Sequence, residues 1–403
     1  MSDAESIPPW LDQEPLLVEN NHNVYIIGAG FSARAGLPLV RTFLDAMRDS
    51  HPWLVDEERD REAAAVKKVL QYRLRSSAAA YNVQLDLENI EELFSLESTE
   101  LASEESAIRL AIAATIDFCQ TTRSPPELLV GVMPRILDKF KERVVKQHGF
   151  VWSREDAQSI RFKPYEYFVG SLCGIFQSKD DQRDTFISFN YDSIIENALR
   201  GLRMPYSLGL RSNDVSFAGR DPQEDSAFPR LTMVLKLHGS VTWAHADDQR
   251  MHVFDSYSEL RARNLTPALL PPTWKKDLFP QISSVWKSAI QALRTATRII
   301  VIGFSYPSTD LHFKYLLACG LSENISLRDF IVLNPDPESV KGRFGELLRL
   351  GTGVTRAPSF LRGALESVCR ESGFMSRIAR RQEDLVVGIT EHRIGDTASE
   401  RGQ

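Results

Sequence analysis

Five short runs of Val, Ile, Leu and Phe punctuate the chain: "VYIIG" from Val24, "TFISFN" from Thr185, "MVLKLHG" from Met233, "RIIVIGFS" from Arg298 and "DFIVLNPD" from Asp329. Their apolar positions are nearly continuous rather than alternating, as in parallel strands covered by helices on both faces. Around them the period changes to a helical one. "DSIIENALRGL" begins with Asp192 as a candidate N-cap and stops at Gly201, and "SSVWKSAIQALRTA" leads into the fourth strand. This alternation predicts an α/β fold, a doubly wound parallel Rossmann-like sheet.

The first two strands are separated by far more chain than one crossover helix needs, and the intervening pattern reads as helical throughout. A helix over Ser103 to Cys119 places Ile108, Ala111, Ile112, Ile116 and Cys119 on one stripe, with Thr115 as its polar interruption. "SPPELLVGVMPRILDKFKERVVKQHG" offers Ser124 and Glu127 as a capping box, Pro134 as a kink and Gly149 as a stop, predicting a further helix. Residues 45–179 are therefore expected to form a large all-helical insertion in a discontinuous domain of residues 24–44 and 180–340. Residues 1–23 read as an N-terminal segment, and 341–403 as helical with a polar tail. The apolar stripes suit core packing or, alternatively, an oligomer or partner surface.

Composition narrows the setting. A formal net charge of −6 over 403 residues disfavours direct nucleic-acid binding by the chain as a whole. No apolar run is long enough to span a membrane, and the acidic, proline-bearing start lacks the basic and apolar regions of a secretory signal, so a cytoplasmic location is expected. Cys119, Cys173, Cys319 and Cys369 stand far apart without a C-x-x-C pair, so neither a disulfide framework nor a structural zinc site is expected. His245, Asp247 and His252 in "HADDQRMH" match no usual ligand spacing and read as a solvated loop.

Chemistry should appear where parallel strands end, because open α/β sheets take ligands beyond their carboxyl edges. All five predicted ends carry glycine or polar groups: Gly28-Ala29-Gly30, Asn190-Tyr191-Asp192, His238-Gly239-Ser240, Gly303-Phe304-Ser305 and Asn334-Pro335-Asp336. Gly28, Gly30 and Ala33 fit G-x-G-x-x-G/A, the loop whose backbone approaches a pyrophosphate. The dehydrogenase fingerprint also needs a second strand and an acidic residue about 20 positions on, and "FLDAMRDSHPWLVDEERDRE" supplies no such strand. Taken singly, Asp192 could be only a helix cap, Asn190 and Asn334 turn formers, Gly303 and Ser305 part of a turn, and His238 a core histidine. Their placement around one edge favours a shared site.

The ordered set "GAGFSxxAGLP", "FNYD", "KLHGSxxW", "IGFS" and "LNPD" resembles the sirtuin-like family, particularly its bacterial branch of NAD-hydrolysing anti-phage proteins, and "DLENIEELF" from Asp86 is similar to a helix of that branch. The resemblance implies that Gly28, Ala29, Gly30, Phe31 and Ser32 hold the pyrophosphate and nearby ribose, with Pro38 and Arg41 in an adjoining loop. It also implies that Asn190 and Asp192 line the nicotinamide end, that His238 is the catalytic histidine, and that Gly303, Phe304, Ser305 and Asn334 lie on the adenosine side. The family's Asp and Phe in the "GIPDFR" loop are replaced here by Leu39 and Val40. The four zinc cysteines of the deacetylating members are missing, which disfavours deacetylation. The expected activity is an NAD glycohydrolase, with NAD as substrate rather than cofactor, serving abortive anti-phage defence. A partner such as a HerA-type ATPase or an Argonaute-like protein is implied by the same resemblance, and a homo-oligomer assembled through the helical insertion is a further expectation. The rival readings are a noncatalytic NAD or ADP-ribose sensor, and an NAD-dependent deacylase or ADP-ribosyltransferase.

Overall fold

The computed structural model describes residues 22–76, 86–100, 105–123, 128–131, 162–174, 183–223, 231–246, 248, 250–272, 280–306, 311–348, 358–363 and 388–391. All five apolar runs become strands of one parallel sheet: β1 (His22–Ile27), β3 (Arg183–Ser188), β6 (Thr232–Lys236), β10 (Arg298–Ile302) and β11 (Asp329–Asn334). Two short strands missing from the sequence reading, β4 (Tyr206–Ser207) and β12 (Ser359–Arg362), complete seven, in the order β12-β11-β10-β1-β3-β6-β4. From β1 the chain winds one way to β3 and β6, then returns to the other side for β10, β11 and β12. β1 is therefore the topological switch point, flanked by Val24↔Ile299 on one side and Val24↔Thr185 on the other.

Continuous hydrophobicity has its reason in this placement. Val24, Tyr25, Ile26 and Ile27 are fully buried, as are Ile299, Ile300 and Val301 beside them. Each such side chain contributes about 1.5–3 kcal/mol relative to exposure. Helices α6 (Pro164–Leu172), α7 (Ile194–Gly201), α9 (Pro280–Arg294), α10 (Leu311–Leu321) and α11 (Pro337–Leu347) alternate with these strands, as expected of a doubly wound α/β fold. Among the described residues no helix is long and apolar enough to cross a membrane.

Between β1 and β3 lie α1 (Ala29–Ser32), α2 (Phe43–Asp56), α3 (Asp60–Arg75), α4 (Ile90–Glu100) and α5 (Glu105–Thr122). The α5 stripe is buried as its spacing predicts, but Leu110, Ala113, Ala114 and Phe118 are buried too. α5 packs against α2, α3 and β9 (Pro267–Leu269), so more than one face is covered. Thr115 is accommodated by donating to the Ala111 carbonyl at 2.7 Å.

The insertion departs from an all-helical one at β2 (Leu128–Gly131), where a helix was expected; β2 pairs antiparallel with β13 (Gly388–Glu391). Its run of three apolar residues ending at Gly131 suits a strand edge as well as a helix face, and the rest of that predicted helix lies outside the described residues. The C-terminal region likewise departs from a helical reading, since β12 adds a parallel strand to β11. A second, four-stranded sheet was also missed: β5 (Val215–Phe217), β8 (Met251–Val253), β7 (Gly239–His245) and β9. The helix α8 (Tyr257–Ala262) joins β8 to β9. Arg59 ties the helical segment to this region. Its guanidinium meets Glu62 at 3.1 Å and Asp117 at 2.6 Å, and lies over the rings of Trp53 and Tyr257.

Candidate functional site

The parallel register brings the five predicted strand ends to one edge of the sheet. The half around β1 and β10 is made of backbone. Beyond Ile27 the chain turns at Gly28 into α1, which is only four residues long, and a 3-10 turn ends at Gly36 with φ of 82°. Gly28 N–H donates to the Ile302 carbonyl at 3.1 Å and Gly30 N–H to the Gly303 carbonyl at 2.8 Å. A Cβ on Gly28 would fall 2.6 Å from Phe304 Cα, and one on Gly303, at φ of 63°, would fall 2.2 Å from Phe31 N. The glycines thus let the β1 and β10 loops lock together, a requirement that holds whether or not a pyrophosphate approaches them.

The half around β3 and β6 is made of side chains. Asn190 donates from Nδ2 to the Gly28 carbonyl at 2.9 Å and to Ser32 Oγ at 3.0 Å. Ser32, 2% exposed, donates in turn to Asp192 Oδ2 at 2.7 Å. Asp192 Oδ1 accepts from Ile194 N–H at 3.1 Å. Asp192 is thus not the N-cap residue of α7, which is Ser193, but it holds that terminus through a side-chain turn while anchoring Ser32. Both its oxygens are engaged by the protein, which makes it a positioning group. Ser32 likewise spends its hydroxyl on Asn190 and Asp192.

Sequence reasoning passed over Lys236, a lysine inside an apolar strand. It is 1% exposed, donates from Nζ to the Asp192 carbonyl, and forms an ion pair with Glu196 at 3.3 Å. The charge is buried but compensated, and it fixes the backbone that carries Asp192. The visible signal was the interruption of "MVLKLHG" by a charge at a position whose neighbours are all buried.

His238 follows β6 and is 7% exposed. Its ring stands edge-on to Phe189 at 5.3 Å and lies 6.2 Å from Tyr191, centroid to centroid. Its carbonyl accepts from Leu270 N–H at 2.9 Å, and Trp286 Nε1 donates to the adjacent Leu237 carbonyl at 3.1 Å, so the turn is held on two sides. Burial pushes the Tyr191 phenol well above its ordinary range, and it donates to the Leu270 carbonyl at 2.6 Å. That tyrosine is a strut for the His238 turn.

The remaining candidates are spread along the edge. Phe304 is packed against Phe189 and Phe313 at 4.9 and 4.7 Å, and Phe31 against Tyr165 and Phe168, so both rings belong to the core beneath the loops. Ala29 is half-buried, while Gly30 and Ser305 are exposed. Asn334 Oδ1 accepts from Asp336 N–H at 2.9 Å, a local turn at the end of β11. Pro38 is half-buried and Arg41 exposed on the segment after Gly36. Asn334 and His238 are separated by four strand spacings, about 19 Å. Such an edge suits an extended ligand with different ends.

Cys119 and Cys173 are buried and Cys319 is exposed. Cys369 and Asp247 lie outside the described residues. His252 pairs with Asp248 at 3.0 Å, and among the described residues no three His, Cys, Asp or Glu side chains gather as a metal-binding group.

Residues 184–348 match the family model described as the SIR2-like domain. The match runs from β3 to α11 and includes Asn190, Asp192, His238, Gly303, Phe304, Ser305 and Asn334; Gly28 to Ser32, Pro38 and Arg41 fall outside it. No curated protein matches the chain. Among solved structures, a mutant Sir2 homologue in complex with 2'-O-acetyl ADP ribose is 14% identical, with 90% of this chain and 92% of that one covered and a TM-score of 0.37. A structure described as a basis for the mechanism and regulation of Sir2 enzymes is 13% identical, covering 91% and 94%, with a TM-score of 0.37.

Proposed function

We propose, on the match of residues 184–348 to the SIR2-like domain model, that the chain binds NAD along the carboxyl edge of its parallel sheet and hydrolyses it to ADP-ribose and nicotinamide. The observation that carries this reading is the meeting of Asn190, Ser32 and Asp192 in one hydrogen-bonded chain at the end of β3, the neighbour of the β6 strand that leads into His238. In NAD the leaving nicotinamide is already cationic. As its glycosidic bond breaks, the bonding pair neutralises the ring nitrogen and oxocarbenium character builds on the ribose, so little acid help is required. Water then forms the new bond to the ribose carbon and gives up a proton. His238 is assigned as the acceptor of that proton, since an imidazole exchanges protons near neutral pH. Asn190 has its Nδ2 donors turned to Gly28 and Ser32, which leaves Oδ1 to orient the water or a ribose hydroxyl. Asp192 fixes Ser32 and the start of α7. Gly28 to Gly30 and Gly303 to Ser305 are assigned to the pyrophosphate and adenosine portions, with Asn334 at the far end and Pro38 and Arg41 on the rim.

The biological setting is proposed on the sequence reading: the motif resemblance suggests an effector of anti-phage defence switched on by a partner protein such as a HerA-type ATPase or an Argonaute-like protein, the helical insertion a homo-oligomer, and the composition a cytoplasmic location. The chain, alone and with a candidate partner, is incubated with NAD and the products separated by chromatography. ADP-ribose and nicotinamide should accumulate, and His238→Ala or Asn190→Ala should slow turnover by about 100-fold or more. Binding of NAD without turnover would replace this reading with a sensor, and consumption that requires an acylated peptide would replace it with a deacylase.

A further inference from the structure

The helix α6 bridges the two halves of the strand-end mouth, and its first turn reaches a loop 134 residues earlier in the chain. The Tyr165 hydroxyl donates to the Phe31 carbonyl at 2.7 Å, and the two rings lie 5.3 Å apart, centroid to centroid. No step of the reaction assigned to the strand ends uses Tyr165. It also falls outside residues 184–348, the span that matches the SIR2-like model.

Local sequence fixes where that hydroxyl is placed. Pro164 opens α6 at a position where a missing N–H costs nothing, and Glu166 Oε2 accepts from Lys163 N–H at 2.9 Å, closing the turn. Phe168, 1% exposed, packs on the Phe31 ring at 5.7 Å. The same helix lies against α7, whose start is held by Asp192. Tyr165 is itself half-buried.

The loop needs this support at one end. Gly28 N–H and Gly30 N–H tie its beginning to the β10 segment, and the Gly28 carbonyl accepts from Phe31 N–H at 3.0 Å and from Asn190 Nδ2 at 2.9 Å. Its far end has less backbone to hold it, because α1 gives way after four residues to a 3-10 turn and the last carbonyls of a helix lose their regular amide partners. The Tyr165 hydroxyl gives the Phe31 carbonyl a donor on the α6 side. A carbonyl released from that donor is free to turn toward the mouth, where its negative end would oppose a pyrophosphate.

We propose that Tyr165 is a positioning residue for NAD binding: its hydroxyl, acting through the Phe31 carbonyl, holds the Gly28–Ser32 loop in the arrangement that receives the pyrophosphate. This rests on the NAD reading of the strand-end mouth. The loop is then pre-organised by a residue that the dinucleotide motif does not contain, and that acts without touching the ligand. The hydrogen bond serves ground and transition states equally, so it sets affinity and not the rate of the bond-breaking step.

Tyr165→Phe removes the hydroxyl and keeps the ring. Calorimetry should show NAD and ADP-ribose, which share the pyrophosphate, weakened by the same factor, about three- to tenfold. Kinetics should show KM raised by that factor with kcat unchanged to within about twofold. Phe168→Leu, which loosens the packing under Phe31 and leaves the hydroxyl in place, should lower the melting temperature without weakening NAD. Equal affinity of wild type and Tyr165→Phe overturns the assignment, as does a fall in kcat at unchanged KM, or a loss of NAD affinity in Phe168→Leu equal to that in Tyr165→Phe. Wild-type protein that binds neither ligand overturns the NAD reading itself and this proposal with it, a result distinct from an error about Tyr165 alone.

Discussion

The two halves of the strand-end mouth are built by opposite means. Around β1 and β10 the fit is made by the absence of side chains: Gly28, Gly30 and Gly303 allow two loops to touch backbone to backbone. Around β3 and β6 it is made by polar side chains, with Lys236, Asp192, Ser32 and Asn190 joined in sequence from the core to the surface. A backbone-built wall fixes shape and tolerates no added atom. A side-chain-built wall fixes charge and proton positions, so its chemistry can be altered without altering its outline.

The contrast can be broken most severely at Lys236. Lys236→Met removes the cation from a buried pair and strands the Glu196 carboxylate, so unfolding in denaturant should show a loss of about 3–5 kcal/mol. A change near zero would mean that the polar half does not depend on that anchor. Gly303→Ala attacks the other half through a close contact and a left-handed backbone, and should cost about 2–3 kcal/mol in the same measurement. Retained stability with retained loop contacts would show that the interlock is looser than its geometry. Ser32→Ala should cost only about 1–2 kcal/mol, from a lost donor to Asp192 and a lost acceptor for Asn190. Its effect on NAD turnover should exceed its effect on stability, and equal loss of both would demote the network to scaffolding. Ser305→Ala, at an exposed position, should shift stability by less than about 0.5 kcal/mol while weakening NAD binding measured by calorimetry.

The parallel core was legible because its residues report their own environment: an unbroken Val, Ile and Phe run needs cover on two faces wherever the chain goes next. The same signal is missing from β12 and β4, which are too short to show a period, and from β2, whose apolar residues fit two periods equally well. In the mouth, Asn190, Ser32 and Asp192 could be nominated from their places after strands, but their mutual bonds span about 160 residues of sequence. No local pattern encodes that Asp192 would be fully engaged by Ser32 and Ile194. The glycines were legible as a turn, but the sequence did not show a second demand on them, the close packing of Phe304, near the other end of the domain, against Gly28. Lys236 was the clearest neglected clue, because a charge inside an apolar strand has to be answered by something buried.

The locking of Gly30 to Gly303 also has a consequence in time. The mouth needs two segments about 270 residues apart in the chain, so for part of synthesis the growing chain holds only the first of them. At roughly 5–20 residues per second the interval is on the order of 15–50 seconds. During it the first loop is present without its partner, and the finished edge appears only after β10 has docked. An activity seated there would be withheld from a growing chain until the later segment has been made and has docked.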